Sequence, residues 1–338
     1  MPENGAHVSE EEAYLNLHRR IPGEPEPAFE DPAMMKKVWG RNWGVDNDVG
    51  RLRSVLVSRP GPEWEIMLSG GEFREEAQAW VGKDKMWYWS GRERPDLAEV
   101  QAQHDGLVKA LEDEEVEVVH LEQPLPTMTK SVFTRDPAII VKGGAVICRM
   151  GVSYRRGEEL PFTRTFALLG MPILHTIHGT GLMEGGSFVW LNSNTAVVSI
   201  GHRSNAEGAR QLGELLKNHG VELLCVDNTG FGLHIDGSFV MVSNDLALAF
   251  IGDLPWWFLE KLNELGIHTI DPVYEDGAFG VNCLAVRPGR VLMSDHAEKT
   301  VKRLESAGVE VVPVPYDQLH RSGGGIHCST LPLIRDAV

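Results

Sequence analysis

Four short stretches carry side chains that an apolar strand pattern does not require: FTRDP (133–137), GLMEGGSF (181–188), GLHIDGSF (232–239) and GGGIHC (323–328). Together they supply three carboxylates (Asp136, Glu184, Asp236), one histidine (His234) and one thiol (Cys328). Paired carboxylates hold a guanidinium by bidentate, charge-assisted hydrogen bonds. A thiolate against the guanidinium carbon can attack it. A histidine can protonate the departing amine and then draw a proton from water, with Glu184 orienting and charging the imidazole. The neighbouring glycines let backbone approach a flat cation with no Cβ in the way. His234 and Asp236 are two apart, which predicts one face of a strand, and the same alternation turns His327 away from Cys328 as a structural residue. Singly, each motif also reads as a turn or a satisfied structural histidine. His175, His178 and His202 lack a third ligand at a sensible spacing, so no metal and no cofactor are expected.

A repeat would bring these stretches together. A helix-like segment that stops and runs straight into a short apolar strand occurs five times, over 109–124, 166–179, 212–227, 260–272 and 302–315. The stops are Glu115, Gly170, Gly220, Gly266 and Gly308, and four of the five are the usual left-handed glycine. Two β-like runs follow each of the first four copies, and only one follows the fifth. The missing partner is RLRSVLVSRP (51–60), near the other end of the chain. Closure would give an α/β ring of five pseudo-symmetric ββαβ units around a central site. An ordinary doubly wound sheet would put single strands between helices rather than pairs. Asp136, Glu184, Asp236 and Cys328 lie 21, 14, 16 and 20 residues past their markers, which puts all four at one end of the ring.

The 338 residues are expected to form an acidic, Pro-rich arm over 1–45, partly disordered, and one catalytic domain over 46–338. A net charge of −16 with no basic run argues against nucleic acid and anionic membrane as partners and favours a small cationic substrate. The amino terminus resembles neither a signal nor a transit peptide, so a cytoplasmic location is expected. Cys148, Cys225 and Cys283 sit in apolar strand-like runs and are expected in the core; Cys328 is the exception. The stretch MWYWSGRERPDL (86–97) suits a lid, an oligomer contact or plain packing, and a homo-oligomer is possible.

FTRDP, EGG, HxD and a glycine-rich loop ending in HC, in this order over 133–336, resemble the guanidino-group-modifying enzymes of the pentein fold, most closely arginine deiminases and the related amidinotransferases. The resemblance implies a five-unit pentein propeller. It also implies Cys328 as nucleophile, His234 as general acid and base, Glu184 in support, and Phe133, Arg135, Asp136 and Asp236 around the guanidinium. Arg155 and Arg203, each 19 residues after a carboxylate, match the arginines that clamp a substrate carboxylate. The implied activity is hydrolysis of arginine or a similar guanidine to a ureido product, through an amidino-thioether. Amidinotransferases share the fold but usually lack EGG here; dimethylarginine hydrolysis needs only a roomier pocket, and a non-catalytic pentein scaffold would not need the cysteine. Two residues depart from the deiminase pattern. Lys130 replaces the asparagine three before the phenylalanine, and the arginine before the glycines is displaced to Arg321, followed by Ser322.

Overall fold

The computed structural model describes residues 9–15, 31–83, 85, 87–277 and 280–338. Much of the expected arm over 1–45 lies outside the described residues. Its described part packs inward through Met35, Trp43 and Val45, all buried.

From Leu52 the chain runs β1 (Leu52–Val57), three short strands β2 (Glu72–Arg74), β3 (Ala79–Val81) and β4 (Tyr88–Ser90), helix α1 (Leu97–Asp113) and β5 (Glu117–His120). Four segments then repeat the order strand, strand, helix, strand. They are β6 (Ala138–Val141), β7 (Gly144–Ile147), α2 (Glu159–Leu169) and β8 (Ile173–Thr176), followed by β9 (Phe188–Asn192), β10 (Thr195–Ile200), α3 (Ala206–Asn218) and β11 (Glu222–Asp227). Next come β12 (Phe239–Ser243), β13 (Leu246–Ala249), α4 (Trp256–Glu264) and β14 (His268–Ile270), then β15 (Leu284–Arg287), β16 (Arg290–Ser294), α5 (Glu298–Ser306) and β17 (Glu310–Val314), with β18 (Leu331–Arg335) last.

In each of these four segments the first strand is antiparallel to the second and the second is parallel to the third. The first segment completes the same three-stranded sheet with a strand from the far end of the chain. There β1 is parallel to β5, with Val55 opposite Val118, and antiparallel to β18, with Val55 opposite Pro332. The helix stops are those read from the sequence: Gly170, Gly220, Gly266 and Gly308 all have positive φ, and Glu115 adopts the same conformation at φ 61°. The middle strands are apolar on both faces, as at Val55, Leu56, Val197, Val198, Val291 and Leu292, all fully buried. Each such side chain contributes roughly 1.5–3 kcal/mol, so the sheets are held from both sides.

Three local expectations change. His234 to Asp236 is not strand: Ile235–Gly237 is a 3-10 turn closed by Ser238 N donating to Ile235 O at 2.8 Å. Cys328 likewise lies in a turn ahead of β18 rather than in a strand. Glycine and serine have little to pack on a pleat, so these segments leave the ladder and form turns. Cys225 is on the exposed face of β11, not in the core. Trp87 and Trp89 are buried, with Trp89 edge-on to Trp64 at 5.8 Å, so they pack the interior, while Tyr88 between them is part-exposed.

Candidate active site

The turns ahead of β6, β9, β12 and β18 bring the polar residues together. Glu184 is fully buried, and its Oε2 lies 2.7 Å from His234 Nε2. Its carboxylate also accepts from Gly151 N at 2.9 Å and from Arg203 Nη1 at 3.1 Å. The other imidazole nitrogen, Nδ1, lies 3.6 Å from Asp136 Oδ1 and 4.0 Å from Asp236 Oδ1. Burial disfavours a charged His234, but Asp136 and the hydrogen bond to Glu184 outweigh it and push the pKa up to about 9. Burial also works against an ionised Glu184, yet His234, Arg155 and Arg203 hold it well below the usual carboxylate range. His234 is therefore an imidazolium at neutral pH, a proton donor gripped by carboxylates. Ligand atoms of Asp136, Glu184 and His234 lie within 4.8 Å of one another, close enough to surround a cation. A metal would have to displace the His234 proton, and Arg155 and Arg203 already balance the carboxylates, so the set suits a hydrogen-bonding organic cation better.

Cys328 is partly exposed at the end of the glycine run. Asn282 Nδ2 donates to its Sγ at 3.1 Å, while Asn282 Oδ1 accepts from His327 N at 2.8 Å. Asp236 Oδ2 lies 3.8 Å from the sulfur and 2.9 Å from His327 Nδ1. Burial, then Asp236 and Asp136, push the thiol pKa well up. A cation set against the sulfur and these carboxylates would draw it down again. Asp136 is buried; its Oδ2 binds Arg155 Nη1 at 2.5 Å, but its Oδ1 has no hydrogen-bond partner among the described residues. An unmade bond at a buried acceptor costs about 1–3 kcal/mol, which a ligand N–H at this oxygen would recover.

The family model described as N,N dimethylarginine dimethylhydrolase, eukaryotic, matches residues 88–335. The chain belongs to this family. Membership carries the enzyme class with it, C–N hydrolysis at a guanidino group, which is the class the motif set implied. The N(G),N(G)-dimethylarginine dimethylaminohydrolase of Pseudomonas aeruginosa is 26% identical over 238 residues, covering 70% of this chain and 90% of that protein. Its solved structure, a Cys-to-Ser variant complexed with citrulline, has a TM-score of 0.67 at 22% identity, covering 84% of this chain and 100% of that one. An arginine deiminase of Listeria monocytogenes is 28% identical over 258 residues, covering 63% of this chain and 62% of the deiminase, so the chain spans under two thirds of that relative. An amidinotransferase from Microseira wollei has a TM-score of 0.70 at 15% identity, covering 88% of this chain and 98% of that one. Together these place the chain in the guanidino-modifying superfamily, with the mixed α/β pentein fold.

The site assembles most of the residues expected for such a family member and reassigns others. Arg155 is buried and donates through Nε and Nη2 to Glu158 as well as to Asp136; Arg203 binds Glu184 and keeps a buried Nε without a partner among the described residues. Phe133 walls the glycine run, since a Cβ on Gly324 would enter its ring. Arg135 was expected at the guanidinium. It holds the cysteine turn, where its N donates to Cys328 O at 3.0 Å and its Nε to His327 O at 3.4 Å. His327 does not point away from the site, because the turn lets it reach Asp236. Glu158 and Asn282 were missed. Asn282 was hidden inside the apolar-looking run VNCLAV, yet it lies 16 residues after Gly266, the same offset as Asp236 after Gly220.

Proposed function

We propose that the protein hydrolyses arginine or an arginine-like guanidino compound, N-methylated forms included, through an amidino-thioether on Cys328. The observation that carries this reading is the buried Oδ1 of Asp136, which has no hydrogen-bond partner among the described residues, 3.6 Å from the His234 imidazolium and in the same site as the sulfur beside Asp236. A guanidinium bound to Asp136 and Asp236 favours loss of the Cys328 proton to solvent through its open side. The thiolate then forms the C–S bond. His234 gives its proton to the departing nitrogen as the C–N bond breaks and ammonia or an amine leaves. Neutral His234 next takes a proton from water as the hydroxide adds to the same carbon. The C–S bond breaks, the thiolate is restored, the added oxygen gives up its remaining proton to solvent, and the ureido product leaves. Positioned acid–base groups of this kind contribute about 10²–10⁴ in rate. Five sheets of one pairing pattern, the first completed by β18, support the finer architecture: a five-unit propeller closed around this site within a single domain over 46–338.

The test is an assay for ammonia, methylamine and ureido product with arginine and N-methylated arginines, with and without amine acceptors. Wild type should release ureido product without an acceptor, and Cys328→Ser should release none while keeping its circular dichroism. Turnover that requires an acceptor would replace hydrolysis by transfer. Activity retained in Cys328→Ser would remove the cysteine from the chemistry.

A further inference from the structure

Lys130 and Ser322, two of the positions that depart from the deiminase pattern, meet in the structure: Lys130 Nζ donates to the carbonyl of Ser322. The ammonium is buried, 4.5 Å from the Tyr88 ring centroid and 5.9 Å from that of Phe133. Tyr88 closes over the glycine run, since a Cβ on Gly323 would strike its hydroxyl. Glu158 lines one cavity with Lys130 and is bound by Arg155, which also binds Asp136 and lies 3.9 Å from Glu184, the partner of Arg203, so all belong to one end of the site. The carboxylates there are committed: Glu158 to Arg155, and Glu184 to Arg203 and His234. Among the described residues Lys130 has no carboxylate partner, and Arg203 keeps its buried free Nε. A cavity of about 230 Å³ opens beside Lys130, lined in part by Ile66, Trp87, Thr129, Tyr154 and Glu158.

Lys130, with no carboxylate partner among the described residues, and the unpartnered Nε of Arg203 attract an anion at this end, whereas an ammonium would meet Lys130 with no uncommitted carboxylate among the residues described there to hold it. Given that the site takes guanidino compounds, we propose that Lys130 selects the far end of the substrate, favouring an ω-guanidino carboxylate without an α-ammonium over a free α-amino acid. Burial and Arg155 lower the Lys130 pKa to about 7, with Glu158 opposing and Arg203 adding to the shift, so the selection weakens as the pH rises through neutrality.

Calorimetric binding of 5-guanidinopentanoate and arginine to Cys328→Ser compares two ligands that differ only in the α-amine. The first should bind at least about tenfold more tightly at pH 6, because juxtaposed like charges are costly. The ratio should shrink by pH 8 in the same protein. Adding Lys130→Met should bring it near unity, and adding Lys130→Arg should preserve it. Equal or tighter binding of arginine, binding of neither compound, or a ratio unchanged in Lys130→Met overturns the proposal. The expected binding order in a protein whose wild type forms no ureido product would instead sink the hydrolytic reading and leave the selection standing.

Discussion

Cys328 is held as a thiol because burial, Asp236 and Asp136 all oppose a thiolate, so its reactivity should follow the charge of whatever is placed against it. The cationic reagent 2-chloroacetamidine should label it at neutral pH at least about tenfold faster than neutral chloroacetamide, since an adjacent opposite charge shifts a pKa by one to three units. The neutral reagent should find the exposed Cys225 first. Peptide mapping by mass spectrometry reads both, and equal rates at Cys328 would remove the electrostatic account. The proton donor gives a second prediction. In the proposed reaction His234 must be protonated to release the amine, and its raised pKa depends on Asp136 and Glu184, so kcat/KM should fall above about pH 9. In Glu184→Gln one supporting charge is gone, and this alkaline limb should move down by about one to two units. An unmoved limb would mean that another group sets it.

Two classes of glycine separate what holds the elements from what shapes the site. Gly220 ends α3 at φ 73° with open space where a Cβ would go. Gly220→Ala should therefore cost about 1–2 kcal/mol of stability, measured by urea unfolding, with activity unchanged. Gly325 has no such backbone constraint, but a Cβ there would meet Asn282 Oδ1, the atom that holds the backbone of the cysteine turn. Gly325→Ala should lower kcat well beyond any stability loss; the reverse pattern would make that glycine merely structural. The contrast also explains what could be read in advance. Helix stops are local, because a left-handed residue before an apolar strand is visible in four letters, and five of them revealed the repeat. The turn carrying His234 and Asp236 is not legible in the same way, since IDGS allows either a pleat or a 3-10 turn and only packing against the neighbouring segment decides. Asp136, Glu184, His234 and Cys328 stood out as polar breaks in apolar patterns. Asn282, flanked by Val281 and Cys283, is hidden by its buried neighbours, and Glu158, in the mixed-charge stretch RRGEE, looks like solvated surface.

At the scale of the molecule, segments from across the chain converge on a charge pair, so stability and catalysis share a pH dependence. His234 is raised from 6.5 to about 9 on folding, so its stabilising contribution is complete below about pH 6.5 and lost as the pH climbs through 9. Glu184 is depressed from 4.5, so its contribution is complete above about pH 4.5 and lost as the pH falls below that value. Both draw on one contact, 2.7 Å long and buried, that joins the turn before β9 to the turn before β12. The pair is intact only while Glu184 is ionised and His234 protonated, and removing one member of a buried pair costs about 3–5 kcal/mol. The melting temperature of wild type should exceed that of Glu184→Gln by several degrees between pH 4.5 and 6.5, and the gap should narrow towards both pH 3 and pH 9.5. Melting curves followed by circular dichroism across that range test it. A gap that does not narrow towards pH 9.5 would show that Glu184 stabilises the fold through Gly151 and its arginines alone, leaving His234 energetically independent of the turn it contacts.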